Sequence, residues 1–363
     1  MRLSDLLGYA DIRDLAKIAE TYGCRCDGHS KHELIQSILS AACRRNVFEA
    51  RVDAMNGWEI RFWSYLLFER KEEFDLGELI ALIRQSVFPD EPGPEGDARE
   101  AIVRFKQLGW LFSGHLPHTR HLYRMPGDVR RRLTDALAGR LSRRLIYVEE
   151  PTAYRDEKGC IGVDVVRLLG AVADLEPQLT ASGVIHKRYW PRIIDRLAVP
   201  ETEWPKAGWR FGYGRRFRDY PDRFALLYDY CYYRGWVEEI PGKLVLTENG
   251  RRRLLEGAPE PLVSVFDFWL KLYRRAVPNL RPLVCWIVRL TNRWTTAESL
   301  AEPLVPLIRP FYFDSPRTIF ESRVLRMMVH LGLVRVGQSE GSGRVVRRNE
   351  AEWTAVCGGM KLD

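Results

Sequence analysis

Tyr233-Arg234-Gly235-Trp236-Val237-Glu238-Glu239-Ile240-Pro241-Gly242-Lys243-Leu244-Val245-Leu246-Thr247 is the stretch whose reading decides the fold of this chain. A helix-like apolar run ends at Gly235, and glycine tolerates the left-handed conformation just past a helix C-terminus, where a Cβ would clash. Trp236 and Val237 open a strand that packs back on the helix, and Lys243 to Thr247 form a second short strand. The order is helix, strand, turn, strand. The same Gly with two apolar residues after it recurs at Gln107-Leu108-Gly109-Trp110-Leu111 and at His330-Leu331-Gly332-Leu333-Val334. Three copies predict an array of small repeated modules. The expected fold class is mainly α, with tandem winged-helix-like units carrying short β-hairpin wings and a small N-terminal helix-loop-helix module.

With 363 residues and 46% hydrophobic content, the chain is long enough to bury several small cores. Its formal charge of +8 favours an anionic partner, but 29% charged residues of both signs make local clusters matter more than the total. Seven cysteines at irregular spacing suit a reducing compartment. Cys24-Arg25-Cys26 lacks a second pair at zinc-finger spacing, so neither a metal nor a cofactor is expected. The start, Met1-Arg2-Leu3-Ser4-Asp5, leads into a charged amphipathic stretch with no secretory apolar core, which predicts a cytoplasmic location. Val263 to Leu290 is interrupted by Asp267, Lys271, Arg274, Arg275 and Arg281, so no membrane role is expected.

The N-terminal module spans 1–45. Ile12, Leu15, Ala16, Ile18 and Ala19 keep helical spacing, Gly23 ends the run, and Leu34, Ile35, Ile38, Leu39 and Ala42 form a second face. Ser30 followed by Glu33 reads as a capping box, which places the second helix just after Ser30. The stretch from about Leu7 to Ala42 resembles the SAP and Rho N-terminal class of helix-extended-loop-helix modules, through the Leu15/Ile18 face, the Tyr22-Gly23 break and Glu33-Leu34-Ile35. That resemblance implies that Ser30, Lys31 and His32 meet a nucleic-acid backbone, and free amides with the helix dipole favour phosphate there. The same residues also fit a plain helical hairpin docked on its neighbour.

A first winged-helix-like unit is assigned to 46–148. Trp58 to Phe68 reads as a core helix, Leu76 to Ile83 as the next, and Asp97 as the cap of a third, recognition-like helix carrying Ile102, Val103, Phe105 and Leu108. Arg99, Arg104 and Lys106 are its candidate DNA contacts. After a polar linker from Glu149 to Gly159, a second unit is assigned to 160–257. Its first helix holds Val163 to Leu175, and Leu179-Thr180-Ala181-Ser182-Gly183 then leads to Lys187, Arg188 and Arg192, the second set of candidate contacts.

That apolar helix, the Leu-Thr-x-Ser-Gly turn, the Lys-Arg pair and the ending through Gly235-Trp236-Val237 to Asn249-Gly250 resemble the N-terminal domain of the XPB/Ssl2 helicase family over about 162–257. The resemblance implies a DNA-processing context without the motor. An ATP-driven engine needs a phosphate-cradling Gly-Lys-Ser/Thr loop and an acidic magnesium motif, and Gly242-Lys243 and Asp156-Glu157-Lys158 supply neither.

Between the halves of this unit, Trp204 to Tyr220 interleaves Arg210, Arg215, Arg216 and Arg218 with Trp209, Phe211, Tyr213 and Phe217. Guanidinium groups neutralise phosphate and ring faces stack on exposed bases, so this is the densest candidate patch. An arm whose rings pack on neighbouring helices is the other reading of the same residues. A third unit is assigned to 261–363. Its first helix is expected at Phe266 to Tyr273 and its recognition-like helix at Ile319 to Val329, with Arg317, Arg323 and Arg326 as outer charges. A Gly337-to-Gly343 turn then separates two strands, the second carrying Arg344, Arg347 and Arg348.

Other near-motifs fail. His32-Glu33-Leu34-Ile35-Gln36 has Gln where a zinc helix needs its second His, and Gly212-Tyr213-Gly214 lacks a third Gly. The expectation is a non-catalytic DNA-binding accessory protein that works with a separate helicase or nuclease on duplex or forked DNA. A winged-helix scaffold for protein assembly is the alternative.

Overall fold

The computed structural model describes residues 1–42, 44–201 and 211–356, apart from the side chain of Ala355. The chain is mainly helical with small antiparallel sheets, and it separates into two compact bodies, Met1–Arg144 and Leu145–Asp363. Among the described residues no helix is long and apolar enough to cross a membrane.

The first body runs α1 (Leu3–Tyr9), α2 (Ile12–Thr21), α3 (Lys31–Ala42), α4 (Arg45–Asp53), α5 (Gly57–Phe68), β1 (Glu73–Asp75), α6 (Leu76–Ser86), α7 (Ala98–Gln107), β2 (Phe112–Ser113), β3 (Leu122–Arg124) and α8 (Gly127–Ser142). Side-chain caps fix the starts of several helices. Asn56 and Glu59 form a capping box at α5, Asp75 and Glu78 another at α6, and Asp97 accepts the Arg99 and Glu100 amides at α7. Helix α5 is buried almost all round, and its Phe62 stacks on Phe105 of α7 with ring centroids 5.2 Å apart. At the end of α2 the Tyr22 hydroxyl donates to the Leu108 carbonyl at 2.9 Å, which docks the N-terminal hairpin on the later helices.

Ser30 caps α3 less fully than expected. Its hydroxyl accepts the Glu33 amide at 3.3 Å, but the Glu33 carboxylate takes the Asp27 amide instead of returning to Ser30, because the Ser30 amide already donates to the Asp27 carbonyl.

The second body runs β4 (Tyr154–Arg155), α9 (Cys160–Leu175), α10 (Trp190–Ile194), α11 (Asp222–Tyr233), β5 (Val237–Ile240), β6 (Lys243–Leu246), α12 (Glu248–Glu256), α13 (Leu262–Tyr273), α14 (Leu280–Leu290), β7 (Thr295–Thr296) and α15 (Ala297–Leu304). Then α16 (Pro316–Thr318), a π-helical stretch Ile319–Leu325 and α17 (Arg326–His330) follow one another without a break, before β8 (Val334–Ser339), β9 (Gly343–Arg348) and α18 (Glu350–Val356).

One topology occurs three times: helix, short strand, helix, helix, hairpin, with the short strand paired to the last strand of the hairpin. In the first body the sheet order is β1-β3-β2, and in the second β7-β9-β8 is extended by β4 on the far side of β8. In the middle copy the short strand shrinks to a bridge between Gln178 and Lys243 beside the β5-β6 hairpin.

The three glycine turns share one hydrogen-bond pattern as well. Gly109, Gly235 and Gly332 have φ of +65°, +67° and +71°. Their amides donate to Lys106, Tyr232 and Val329, and the next amides, of Trp110, Trp236 and Leu333, reach back to Phe105, Cys231 and Met328. This closes the helix carbonyls by the left-handed C-cap expected from sequence and turns the following apolar side chain into the core.

Three expectations change. The stretch Glu149 to Gly159 is not simply a linker: β4 pairs with β8, and Glu157 within it is only 2% exposed. Helix α13 does form at Phe266 to Tyr273, but the helix that directly precedes β7 is α14, so α13 is an additional packing layer. The C-terminal hairpin has longer strands and a tighter turn than expected, since pairing continues to Ser339 and Gly343.

Candidate nucleic-acid interface

On α3, Lys31 and His32 are exposed, and the Lys31 ammonium donates to the Gly8 carbonyl at 2.8 Å. On α7, Arg99 is exposed with no carboxylate partner among the described residues, while Arg104 is tied to Glu59 at 3.3 Å. Lys106 lies with Asp11, Lys17, His115 and Arg120 along a groove of about 620 Å³. This helix face therefore keeps open positive charge at its N-terminal end.

In the second body the candidates separate into two kinds. Arg188, just before α10, and Arg192, on it, are exposed without carboxylate partners among the described residues, and Arg188 lies over Tyr189 and donates to the Gln178 side chain. Lys187 is exposed beside them. Arg218 is exposed too, with its guanidinium 5.4 Å from the Phe217 ring. Arg215 and Arg216 instead converge on Glu239 of β5. Arg215 binds both of its carboxylate oxygens, at 2.5 and 2.6 Å, and Arg216 donates at 2.9 Å. Arg216 is only 8% exposed while Arg215 stays at the surface, so the middle of the arm is taken up by ion pairs within the chain. Arg210 lies outside the described residues, as do Trp204 and Trp209.

Burial opposes ionisation of Glu239, but bonds from Arg215, Tyr228 and Arg216 outweigh it and hold its pKa down to about 2. Below it, Asp229 accepts the Arg215 amide at 2.7 Å, yet burial dominates and pushes its carboxyl up to about 6. Helix α11 offers no cationic face, because every residue from Arg223 to Cys231 is buried and the helix packs between α9, α13 and α17.

The outer charges of the third copy are mostly matched. Arg317 binds Glu298 and Glu321, Arg323 binds Asp314 at 2.8 Å, and Arg326 reaches Asp222 at 3.3 Å. On the hairpin, Arg348 binds Glu350 at 2.9 Å and Arg347 lies 3.9 Å from Glu150. Arg344 has no ion pair among the described residues, and burial lowers its pKa.

Two groupings escaped the reading of the sequence. Glu157, Arg223, Asp164 and His330 form a buried cluster, with Arg223 3.1 Å from Glu157 and 2.7 Å from Asp164, and His330 3.2 Å from Glu157. Burial works against the Glu157 carboxylate, but His330, Arg223 and Arg155 hold its pKa below the usual range. The cluster joins the pre-α9 segment to α9, α11 and α17, which makes it a structural tie. The second grouping is the turn Phe311 to Asp314, where Tyr312 and Phe313 are 73% and 71% exposed. Among the described residues no group of His, Cys, Asp or Glu is gathered to hold a metal ion.

No protein-family model matches the chain, and no curated protein is significantly similar to it.

Proposed function

We propose that this is a non-catalytic DNA-binding accessory protein built from winged-helix-like units and serving a separately encoded helicase or nuclease in DNA repair or processing. The observation that carries the reading is that several of the expected contacts are exposed arginines with no carboxylate partner among the described residues: Arg99 on α7, and Arg188, Arg192 and Arg218 in the second body. An unmatched surface guanidinium is free to displace counterions from phosphate, whereas one already paired must first lose its partner. The thrice-repeated helix, strand, helix, helix, hairpin order supports the winged-helix reading. The resemblances at 7–42 and 162–257 point to the same context. Docking on the backbone, with little base readout by helices, suits the burial of α11.

The test is fluorescence anisotropy on labelled single-stranded, duplex and forked oligonucleotides across salt concentrations. Binding should weaken steeply with salt, and neutralising Arg188, Arg192 and Arg218 together should reduce the log-log slope on duplex by about 0.9 for each phosphate that the variant leaves unneutralised. Absence of binding at low salt would remove the reading. It would leave the assembly scaffold, which the internally paired arginines of the third copy favour.

A further inference from the structure

The turn Phe311-Tyr312-Phe313-Asp314 is held from both ends. The Phe311 and Asp314 amides each donate to the other's carbonyl, at 3.1 and 3.0 Å, and close a two-residue loop. Tyr312 sits at its tip with φ +50°, a left-handed conformation unusual for an aromatic residue. Beneath it, Asp314 is buried and accepts bonds from Arg323 at 2.8 Å and from the Tyr213 hydroxyl at 2.9 Å. Arg323 also donates to the Phe211 carbonyl at 2.6 Å. The turn therefore stands on an anchored base, and Tyr312 and Phe313 remain largely exposed above it.

Those rings belong to a wider surface. Phe211 has its centroid 5.4 Å from Phe313, 6.3 Å from Tyr312 and 6.5 Å from Phe217, whose ring carries Arg218. Two residues before the turn, Arg309 is exposed and has no carboxylate partner among the described residues. Fixed aromatic faces flanked by unmatched guanidinium groups are complementary to one chemistry in particular: unstacked bases joined by phosphates. A paired duplex hides its base faces, so the ligand is single-stranded.

We propose that the Phe311–Asp314 turn, with Phe211, Arg218 and Arg309, is a base-stacking site for a single-stranded DNA segment such as the arm of a fork. Tyr312 and Phe313 supply the stacking faces, and the two arginines neutralise the adjoining phosphates. The site deepens the DNA-binding reading above and rests on it. Because the turn is already rigid, little ordering accompanies binding.

The experiment compares wild type with Tyr312→Gly/Phe313→Ala on a fork bearing an unpaired arm and on blunt duplex. Glycine suits the positive φ of Tyr312, so the turn keeps its shape while its ring is removed. Affinity for the fork should fall about tenfold for each stacking ring removed, while duplex affinity stays within about twofold. A 2-aminopurine base in the arm should be quenched by wild type and not by the variant, and Tyr312→Trp should retain quenching and affinity. Equal losses on fork and duplex, or fork affinity and quenching unchanged by the double variant, would overturn the site. Wild type that binds duplex without preferring forks also overturns it, yet leaves the DNA-binding reading standing. Wild type that binds no DNA removes both.

Discussion

Replacing Glu239 by Gln removes the negative charge on which Arg215, Arg216 and the Tyr228 hydroxyl converge. The ordinary pKa of 4.5 falls to about 2 in the fold. At about 1.4 kcal/mol per pKa unit this corresponds to at most about 3.5 kcal/mol. Water reaches part of the cluster, and screening reduces the expected effect to about 1–2 kcal/mol. Arg216 keeps Asp219 at 3.2 Å and the Ser182 carbonyl at 3.1 Å, so the loss stays below that of a stranded buried charge. The carboxylate is more acidic in the native than in the unfolded chain. Its stabilisation is therefore complete above pH 4.5 and disappears as pH falls through about 2. Urea unfolding followed by tryptophan fluorescence should show the variant less stable at neutral pH, with the gap to wild type closing between pH 4.5 and 2. Other carboxylates titrate in both proteins, so that closing gap belongs to Glu239. A gap that is absent at neutral pH, or constant down to pH 2, would refute the account of the cluster.

Asp229 has the opposite sign: its folded pKa of about 6 lies above the ordinary 3.8, so ionising it costs stability progressively from pH 3.8 to 6 and fully above. Asp229→Asn should raise stability by about 1–3 kcal/mol at pH 7.5 and by little at pH 4, and denaturation curves without a gain at pH 7.5 would contradict this. Gly235→Ala should cost about 1–2 kcal/mol, from the left-handed backbone alone, because its Cβ would meet open space. Gly332→Ala should cost about 3 kcal/mol or more, since its Cβ would also lie 2.8 Å from the Lys158 Cα and 2.9 Å from the Glu157 carbonyl oxygen. Equal thermal-melt shifts for the two glycines would count against the close packing at Gly332.

The glycine turns were legible because a C-cap is local: the hydrogen bonds span five residues, and the apolar residue that follows must be buried. Asp97 was legible as a cap for the same reason. The Ser30 capping box was only half right, since Asp27, three residues upstream, competes for the same groups. The arm at Trp204 to Tyr220 read as a uniform row of arginines and rings. Its division into Arg215 and Arg216, which pair with a carboxylate, and Arg218, which does not, depends on Glu239, which comes from a hairpin more than twenty residues later. Nor did the apolar pattern distinguish α13 from α14 as the helix preceding β7, because both are buried over much of their surface.

By itself the sequence determined the mainly helical class, the sites where helices end in glycine, and the excess of positive charge, all of which follow from local sterics, hydrophobic spacing and composition. Only the tertiary structure decided which charges remain available. An arginine's charge is certain from its identity, but its freedom depends on whether folding brings a carboxylate within about 4 Å. That pairing joins residues far apart in the chain, as Arg326 with Asp222 and Arg223 with Glu157 show.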